Sequence, residues 1–229
     1  MPQRDPSPGG LDVSGICLPA SEVGGDFFDY LWFHRDPANF GIVIGDVSGK
    51  AMKAAMTAVM TSGMFLVKSH EAIPLPEMMS SINRSLCEKT DKTIFVAICL
   101  ASFDLSRRHF RFCNSGLCRP LLLRRGAVTV LESAGDVPLG VLPDQQFPFQ
   151  EVALQPGDVL VFFSDGVTEA RNSEGEFFGN ERLRTVFASA AVRADSALAL
   201  KKSIMAAIQA FSGSSRQFDD ITLVAVRVL

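Results

Sequence analysis

The chain has 229 residues, 47% of them hydrophobic and 21% charged, which suits one large globular domain or two small ones. The formal net charge is −3, with acidic and basic residues interspersed. Nucleic-acid-binding and polybasic membrane-binding surfaces need a concentrated positive field, so we expect neither nucleic acid nor a membrane as a partner. The longest apolar run, residues 94–103, is too short to cross a bilayer, which takes about 20 residues.

The start of the chain differs from the rest in composition. Residues 1–10 are polar and rich in Pro and Gly, and they lack the apolar core of a signal peptide. We interpret them as a linker or tail to which an upstream sensor or regulatory domain is attached. The predicted domain covers residues 11–229.

The cysteines indicate a reducing environment. There are five of them, they form no CxxC pair, and most lie in apolar segments. An odd number in such settings is typical of reduced, buried thiols, so we predict a cytoplasmic protein. They are Cys17, Cys87, Cys99, Cys113 and Cys118.

The first half of the sequence changes from a strand pattern to a helix pattern. Short apolar or alternating segments, bounded by Gly, Pro or Asp, predict strands over residues 11–18, 27–33 and 40–44. Apolar residues then recur at helical spacing and predict a helix over about residues 50–70 and a second over about 75–90. The core-facing stripe of the first helix is predicted to be Met52, Met56, Val59, Met60, Gly63, Met64 and Val67.

The second half of the sequence has mostly strand patterns, which predict strands, and one further pair of helix patterns. Strands are predicted over residues 93–104, 109–114, 119–124, 127–131, 147–154, 159–163 and 221–228, and helices over 180–190 and 194–211. This order lacks the regular βαβ alternation of a parallel sheet. It predicts an α+β sandwich of antiparallel β-sheets flanked by helix pairs.

Acidic residues fall at the ends of several predicted strands, next to Gly or another Asp. Carboxylates gathered at one edge of a sheet repel each other unless a cation lies between them, and oxygen ligands favour Mg²⁺ or Mn²⁺ over zinc. Asp at a strand end is also common in turns and helix N-caps, and for each aspartate alone that interpretation is the more usual one. The residues concerned are Asp26, Asp46, Asp165, Asp219 and Asp220.

Covalent catalysis has little support in the sequence. The only histidines are His34, His70 and His109, and none lies beside a motif. No cysteine has a nearby histidine or a glycine-rich elbow. Water activated by bound metal ions is therefore the remaining nucleophile.

Six segments, in a fixed order, resemble the SpoIIE/RsbU-type domain of the PPM family of metal-dependent serine/threonine protein phosphatases. The resemblance covers about residues 11–229. The segments are PASEVGGDFFD (19–29), IGDVSGK (44–50), PLGV (138–141), LQPGD (154–158), FSDGVTEA (163–170) and FDDIT (218–222).

This resemblance implies an αββα sandwich with a binuclear metal site at one edge. Asp46 matches the carboxylate that bridges both ions, and Asp26 and the carbonyl of Val47 match ligands of one ion. Asp165 and Asp219 match ligands of the other, and the resemblance does not separate Asp219 from its neighbour Asp220. The implied catalytic residues are Asp26, Asp46, Asp165 and Asp219.

The implied reaction is hydrolysis of a phosphoserine or phosphothreonine monoester by water activated by two divalent cations, Mn²⁺ or Mg²⁺. The substrate implied by the resemblance is a phosphorylated STAS-domain anti-anti-sigma factor in a partner-switching pathway, and a homodimer is one arrangement that such domains adopt. Two alternatives stay open: a pseudophosphatase that binds a partner without turnover, and a phosphomonoesterase that acts on small molecules.

Overall fold

Two antiparallel β-sheets form the centre of the computed structural model, which describes residues 2–49, 51–133 and 135–229. The strands in these residues are β1 (Leu11–Leu18), β2 (Phe27–Trp32), β3 (Asn39–Val47), β4 (Val96–Asp104), β5 (His109–Ser115), β6 (Leu121–Arg124), β7 (Ala127–Val130), β8 (Gln150–Ala153), β9 (Val159–Phe163) and β10 (Ile221–Val228). One sheet has the order β1-β10-β9-β6-β7 and the other β2-β3-β4-β5-β8. All their neighbouring strands pair antiparallel.

An apolar core lies between the two sheets. It contains side chains from both, such as Phe40 and Phe110 from one sheet and Phe162 and Val224 from the other. The Phe110 ring meets the Phe162 ring edge-on, with 6.4 Å between the centroids. Alternating apolar positions on strands of both sheets therefore bury one face of each sheet against the other.

Two helix pairs cover the outer faces. The α-helices in the described residues are α1 (Ala51–Ser69), α2 (Leu75–Lys89), the single turn α3 (Asp165–Thr168), α4 (Gly179–Arg193) and α5 (Ala197–Ser212). The α1–α2 pair packs on the β2-to-β8 sheet, and the α4–α5 pair packs on the other. The predicted α+β sandwich is confirmed, although Lys50, the predicted first residue of the first helix, lies outside the described residues.

None of the helices in the described part of the chain is both long and apolar enough to span a membrane.

The predicted core-facing stripe of α1 is partly wrong, because Met60 and Met64 pack against the core beneath the helix but other predicted members do not. The face that packs on the sheet carries small residues and one aromatic residue, Ala54, Ala58 and Phe65, all of them buried. Small side chains let the helix lie close to the sheet. Because apolar residues occur on two faces of α1, periodicity alone could not show which of these faces is buried. Four predicted members are instead exposed, by 61% to 75%: Met52, Met56, Val59 and Val67.

Two aspartates occupy positions in the secondary structure that differ from the predicted ones. The third strand continues through Val47, so Asp46 lies inside β3 and not after it. Asp165 does not end β9 but begins α3, where the Glu169 N–H donates to the Asp165 carbonyl at 2.8 Å. Both remain at the same edge of the sandwich.

The segment predicted to be a linker or tail is anchored to the sheets through Asp5. The Asp5 carboxylate accepts hydrogen bonds from the Ser14 hydroxyl at 2.6 Å, the Gly15 N–H at 3.0 Å and the Tyr30 hydroxyl at 2.8 Å. The ammonium group of Lys201 on α5 lies 3.8 Å away. The boundary between residues 10 and 11 stays a prediction.

Candidate metal centre

In the β2-to-β8 sheet, Asp26 and Asp46 are brought to one edge by the pairing of adjacent strands. Phe27, the first residue of β2, pairs with Gly45 of β3. The residue before β2 is Asp26 and the residue after Gly45 is Asp46, so antiparallel pairing places them opposite each other. Asp26 is buried and Asp46 is half-buried.

The other sheet brings Asp165 and the Asp219–Asp220 doublet to the same place. Phe163 at the end of β9 pairs with Leu223 of β10, and the next N–H, that of Ser164, donates to the Thr222 carbonyl at 3.0 Å. Asp165 follows β9 and the doublet precedes β10. Carboxylates from both sheets therefore meet at one edge of the sandwich.

The two members of the doublet have different surroundings. Asp220 is buried, and its carboxylate accepts hydrogen bonds from the N–H groups of Ala20 at 2.7 Å, Gly25 at 2.7 Å and Asp26 at 3.2 Å. Asp219 is exposed, and one of its oxygens accepts the Asp220 N–H at 2.8 Å. Asp220 therefore fixes the loop that carries Asp26, while Asp219 leaves most of its lone pairs free.

Glycines allow this loop and α3 to approach the doublet. A Cβ atom at Gly24 would lie 2.2 Å from an Asp220 carboxylate oxygen, and one at Gly166 would lie 2.0 Å from the Asp220 carbonyl oxygen. No side chain fits at either position without displacing the doublet.

The carbonyl of Val47, predicted as a ligand, is also at this edge. Its oxygen lies 2.7 Å from where a Cβ of Gly25 would be, and the Val47 N–H donates to the Gly25 carbonyl at 3.3 Å. The side chain of Val47 points away from the edge and is buried in the core beneath α1. The backbone of β3 is thereby held against the loop that carries Asp26.

The gathered carboxylates raise one another's pKa. Burial raises the pKa of Asp46 to about 7, with further contributions from the charges of Asp165 and Asp219. Burial, and next the charge of Asp46, raise the pKa of Asp26 well above its ordinary value. The pKa of Asp165 is raised by burial and by the charges of Asp219 and Glu169. Negative charge at this edge is therefore costly without a compensating cation.

Within the described residues, one buried oxygen at this edge has no hydrogen-bond partner. Asp26 Oδ2 is buried and makes no hydrogen bond within the described residues. A buried carboxylate oxygen without a donor is unfavourable unless a cation is near it. Together with its neighbouring carboxylates and the Val47 carbonyl, it provides an all-oxygen donor set, which suits Mg²⁺ or Mn²⁺.

The oxygen donors at this edge are of the chemical type that binds such cations, but the described residues do not form a complete coordination site. Among residues 2–49, 51–133 and 135–229, no group of three or more His, Cys, Asp or Glu side chains is arranged so that it could hold a metal ion as it stands. The structure thus brings the predicted aspartates together at one edge, and their assignment as ligands stays a prediction.

Two residues at this edge were missed from the sequence. Ser48 follows β3, and its hydroxyl accepts the Phe95 N–H at 2.8 Å, which fastens the end of β3 to the start of β4. The pKa of Cys118 is raised to about 12 by burial and then by the charges of Asp165 and Glu169, so this buried thiol lies near the aspartate edge. Neither residue has a local sequence signal, because both contacts are between distant segments.

Solved structures show the same fold. The PP2C domain of SiaA from Pseudomonas aeruginosa matches 95% of this chain and 86% of its own with a TM-score of 0.82 at 19% identity. RsbX, solved in complex with magnesium, matches 96% of this chain and 94% of its own with a TM-score of 0.70 at 14% identity. The fold is that of PP2C-type domains.

Sequence comparison gives the family. The Stage II sporulation protein E (SpoIIE) family matches residues 36–229, and the chain belongs to this family. Protein IcfG from Synechocystis sp. is 27% identical over 93% of this chain and 37% of its own length. Phosphoserine phosphatase RsbU from Bacillus subtilis is 28% identical over 72% of this chain and 49% of its own length. The chain thus spans about half or less of these relatives.

Proposed function

We propose that this chain is a metal-dependent protein phosphatase that hydrolyses phosphoserine or phosphothreonine monoesters. The observation that carries the proposal is the meeting of carboxylates from both sheets at one edge. There their pKa values rise, and Asp26 Oδ2 has no donor among the described residues. Membership of the SpoIIE family and the name of the relative RsbU support this reaction.

The proposed ligands are the residues with free oxygens at this edge. Asp46 would bridge two cations, Mn²⁺ or Mg²⁺, with Asp26 and the Val47 carbonyl on one side and Asp165 and Asp219 on the other. Bound cations would supply an activated water and neutralise charge on the phosphoryl group. The magnesium bound to the structural relative RsbX supports a hard cation.

We assign Asp220 a positioning role. Its oxygens already accept three backbone N–H groups, so it orients the loop that carries Asp26. Asp219 is exposed and faces Asp46 and Asp165 closely enough to raise the pKa of both. This difference favours Asp219 as the ligand of the pair.

The proposed substrate is a phosphorylated STAS-domain anti-anti-sigma factor in a partner-switching pathway, with control by an upstream sensor or regulatory domain and by homodimerisation. The support is the similarity to RsbU and to IcfG, both of which extend well beyond the matched region. We place the protein in the cytoplasm because all five cysteines are free thiols.

Phosphate release from a phosphorylated STAS-domain protein, with and without Mn²⁺, tests this function. We expect release that depends on Mn²⁺ in the wild type and none in Asp46→Asn. Binding of the phosphoprotein without release at saturating Mn²⁺ would favour the pseudophosphatase. Hydrolysis of p-nitrophenyl phosphate but of no phosphoprotein or phosphopeptide would favour a small-molecule phosphomonoesterase.

A further inference from the structure

A cavity of about 360 Å³ opens beside the aspartate edge, between β1, α3 and the C-terminal half of α5. Gly166 and Asp219 belong to both its lining and that edge, so the cavity adjoins the aspartates. The cavity also has an apolar lining of Ile16, Met205, Ile208 and Ile221. A phosphate monoester bound at the aspartates would therefore have an apolar space next to it.

Phe218 and Arg171 belong to the lining of the cavity, and Arg171 also contacts Phe177, which lies outside that lining. Phe218 is 65% exposed although it directly precedes Asp219, and Phe177 is 46% exposed. The guanidinium of Arg171 lies 5.0 Å from the ring centroid of Phe218 and 4.7 Å from that of Phe177. Cation–π contacts of this kind hold the two rings and the guanidinium in one orientation. The contact with Arg171 therefore helps to position the Phe218 ring, which is part of the cavity lining.

The chemistry of the cavity identifies its occupant. The apolar part of the lining, Ile16, Met205, Ile208 and Ile221, has no group that binds a phosphoryl group, so it suits an apolar side chain of the substrate instead. A protein substrate must extend beyond the phosphoryl group, and its neighbouring side chains pass over the surface next to Asp219. The charges of Arg171 and Arg216 in the lining are balanced there by those of Glu169 and Asp219, so the apolar part of the cavity is what selects the occupant.

We propose that this cavity is a substrate subsite that takes an apolar side chain next to the phosphorylated residue of a polypeptide. Met205 and Phe218 are its specificity-determining residues, and Arg171 is a positioning residue that acts through Phe218. The inference rests on the proposed phosphatase activity and adds to it the kind of sequence that is recognised.

Synthetic phosphoserine peptides that differ only in having Leu or Ser at one flanking position, scanned over each flank, test the subsite. We expect the wild type to show a higher kcat/KM for the Leu peptide at one position, by about tenfold, as burial of such a side chain in an apolar pocket gives. Met205→Glu and Phe218→Ala should bring the Leu-to-Ser ratio close to one. Leu198→Glu is the matched control, because Leu198 is exposed on the same helix outside the cavity, and should keep the wild-type ratio.

The turnover of p-nitrophenyl phosphate by each variant reports whether the aspartate edge is intact. Dividing the peptide turnover of each variant by this value corrects for activity lost through misfolding. If Met205→Glu does not fold, Phe218→Ala still tests the subsite, because Phe218 lies on the surface. A wild type without any Leu preference, or variants that keep it, would overturn the subsite. A wild type that hydrolyses neither the peptides nor p-nitrophenyl phosphate with Mn²⁺ would instead contradict the phosphatase function.

Discussion

At the scale of residues, two adjacent aspartates have different roles. Asp220 is 8% exposed and bound to backbone N–H groups, whereas Asp219 is exposed and close to other carboxylates. The sequence shows only an Asp-Asp doublet. The difference comes from the chain segment around Ala20 and Gly25, which lies far away in sequence.

Alanine substitution of each member should separate these tasks. Asp220→Ala leaves three N–H groups without their acceptor, so we expect it to lower the free energy of unfolding by about 3 kcal/mol. Asp219→Ala should change that free energy by less than about 1 kcal/mol and still abolish phosphate release. Urea unfolding in chelator and a phosphate assay with Mn²⁺ measure both effects. Equal destabilisation by the two variants would contradict the assignment.

Asp46 gives a prediction about pH. Its pKa in the folded protein is about 7, above the value of an unperturbed carboxyl group, so the folded state binds more protons than the unfolded state between about pH 4 and pH 7. In chelator, the free energy of unfolding should therefore be highest at the acidic end of this window and fall as the pH rises through about 7. Asp46→Asn should reduce the fall, because its amide does not ionise, and should abolish turnover.

Urea unfolding in chelator at several pH values across that window provides the measurement. A free energy of unfolding that stays constant, or that rises with pH in the wild type, would contradict the repulsion between carboxylates. Retention of wild-type turnover by Asp46→Asn at saturating Mn²⁺ would contradict its role as a ligand.

At the scale of elements, α1 connects the aspartate edge to an exposed apolar face. The helix starts shortly after Asp46 and Val47, and Met52, Met56 and Val59 are exposed along it. Unbranched methionine side chains adapt easily to more than one packing arrangement. A change in how α1 packs would move the end of β3 and thus the proposed ligands.

We expect the isolated chain to be poorly active with weak metal affinity, and to gain activity when two copies are held together. Turnover measured against Mn²⁺ concentration, for the chain and for a fusion to a dimeric coiled coil, checks this. A fusion to a coiled-coil variant that stays monomeric is the control. If the dimeric fusion and the free chain have the same rates and the same metal dependence, control through α1 is wrong.

At the scale of the whole molecule, the sequence predicted the features that depend on local patterns. Apolar alternation gave β1 with the bounds that the structure has, and the order of elements gave the α+β sandwich. Aspartates at strand ends were expected to meet, and Asp26, Asp46 and Asp165 influence one another's pKa directly or through a shared neighbour.

Features that depend on contacts between distant segments could not be predicted in this way. Residues 1–10 have the composition of a linker, yet Asp5 is bound through Tyr30 and Lys201, which no local pattern connects to it. The buried face of α1 was predicted only in part, because some of its sheet-facing side chains, such as Ala54, are small and give a weak apolar signal. Contacts between distant segments determine both the anchoring of Asp5 and the buried face of α1.

The dependence of phosphate release on divalent cations shows most directly whether oxygen ligands at this edge bind hard cations. A phosphoserine peptide should be stable in the presence of the protein and EDTA, and Mn²⁺ or Mg²⁺ added in excess should start its hydrolysis. Recovery with zinc alone would indicate nitrogen or sulfur ligands in place of the aspartates. Undiminished hydrolysis in EDTA would contradict the account.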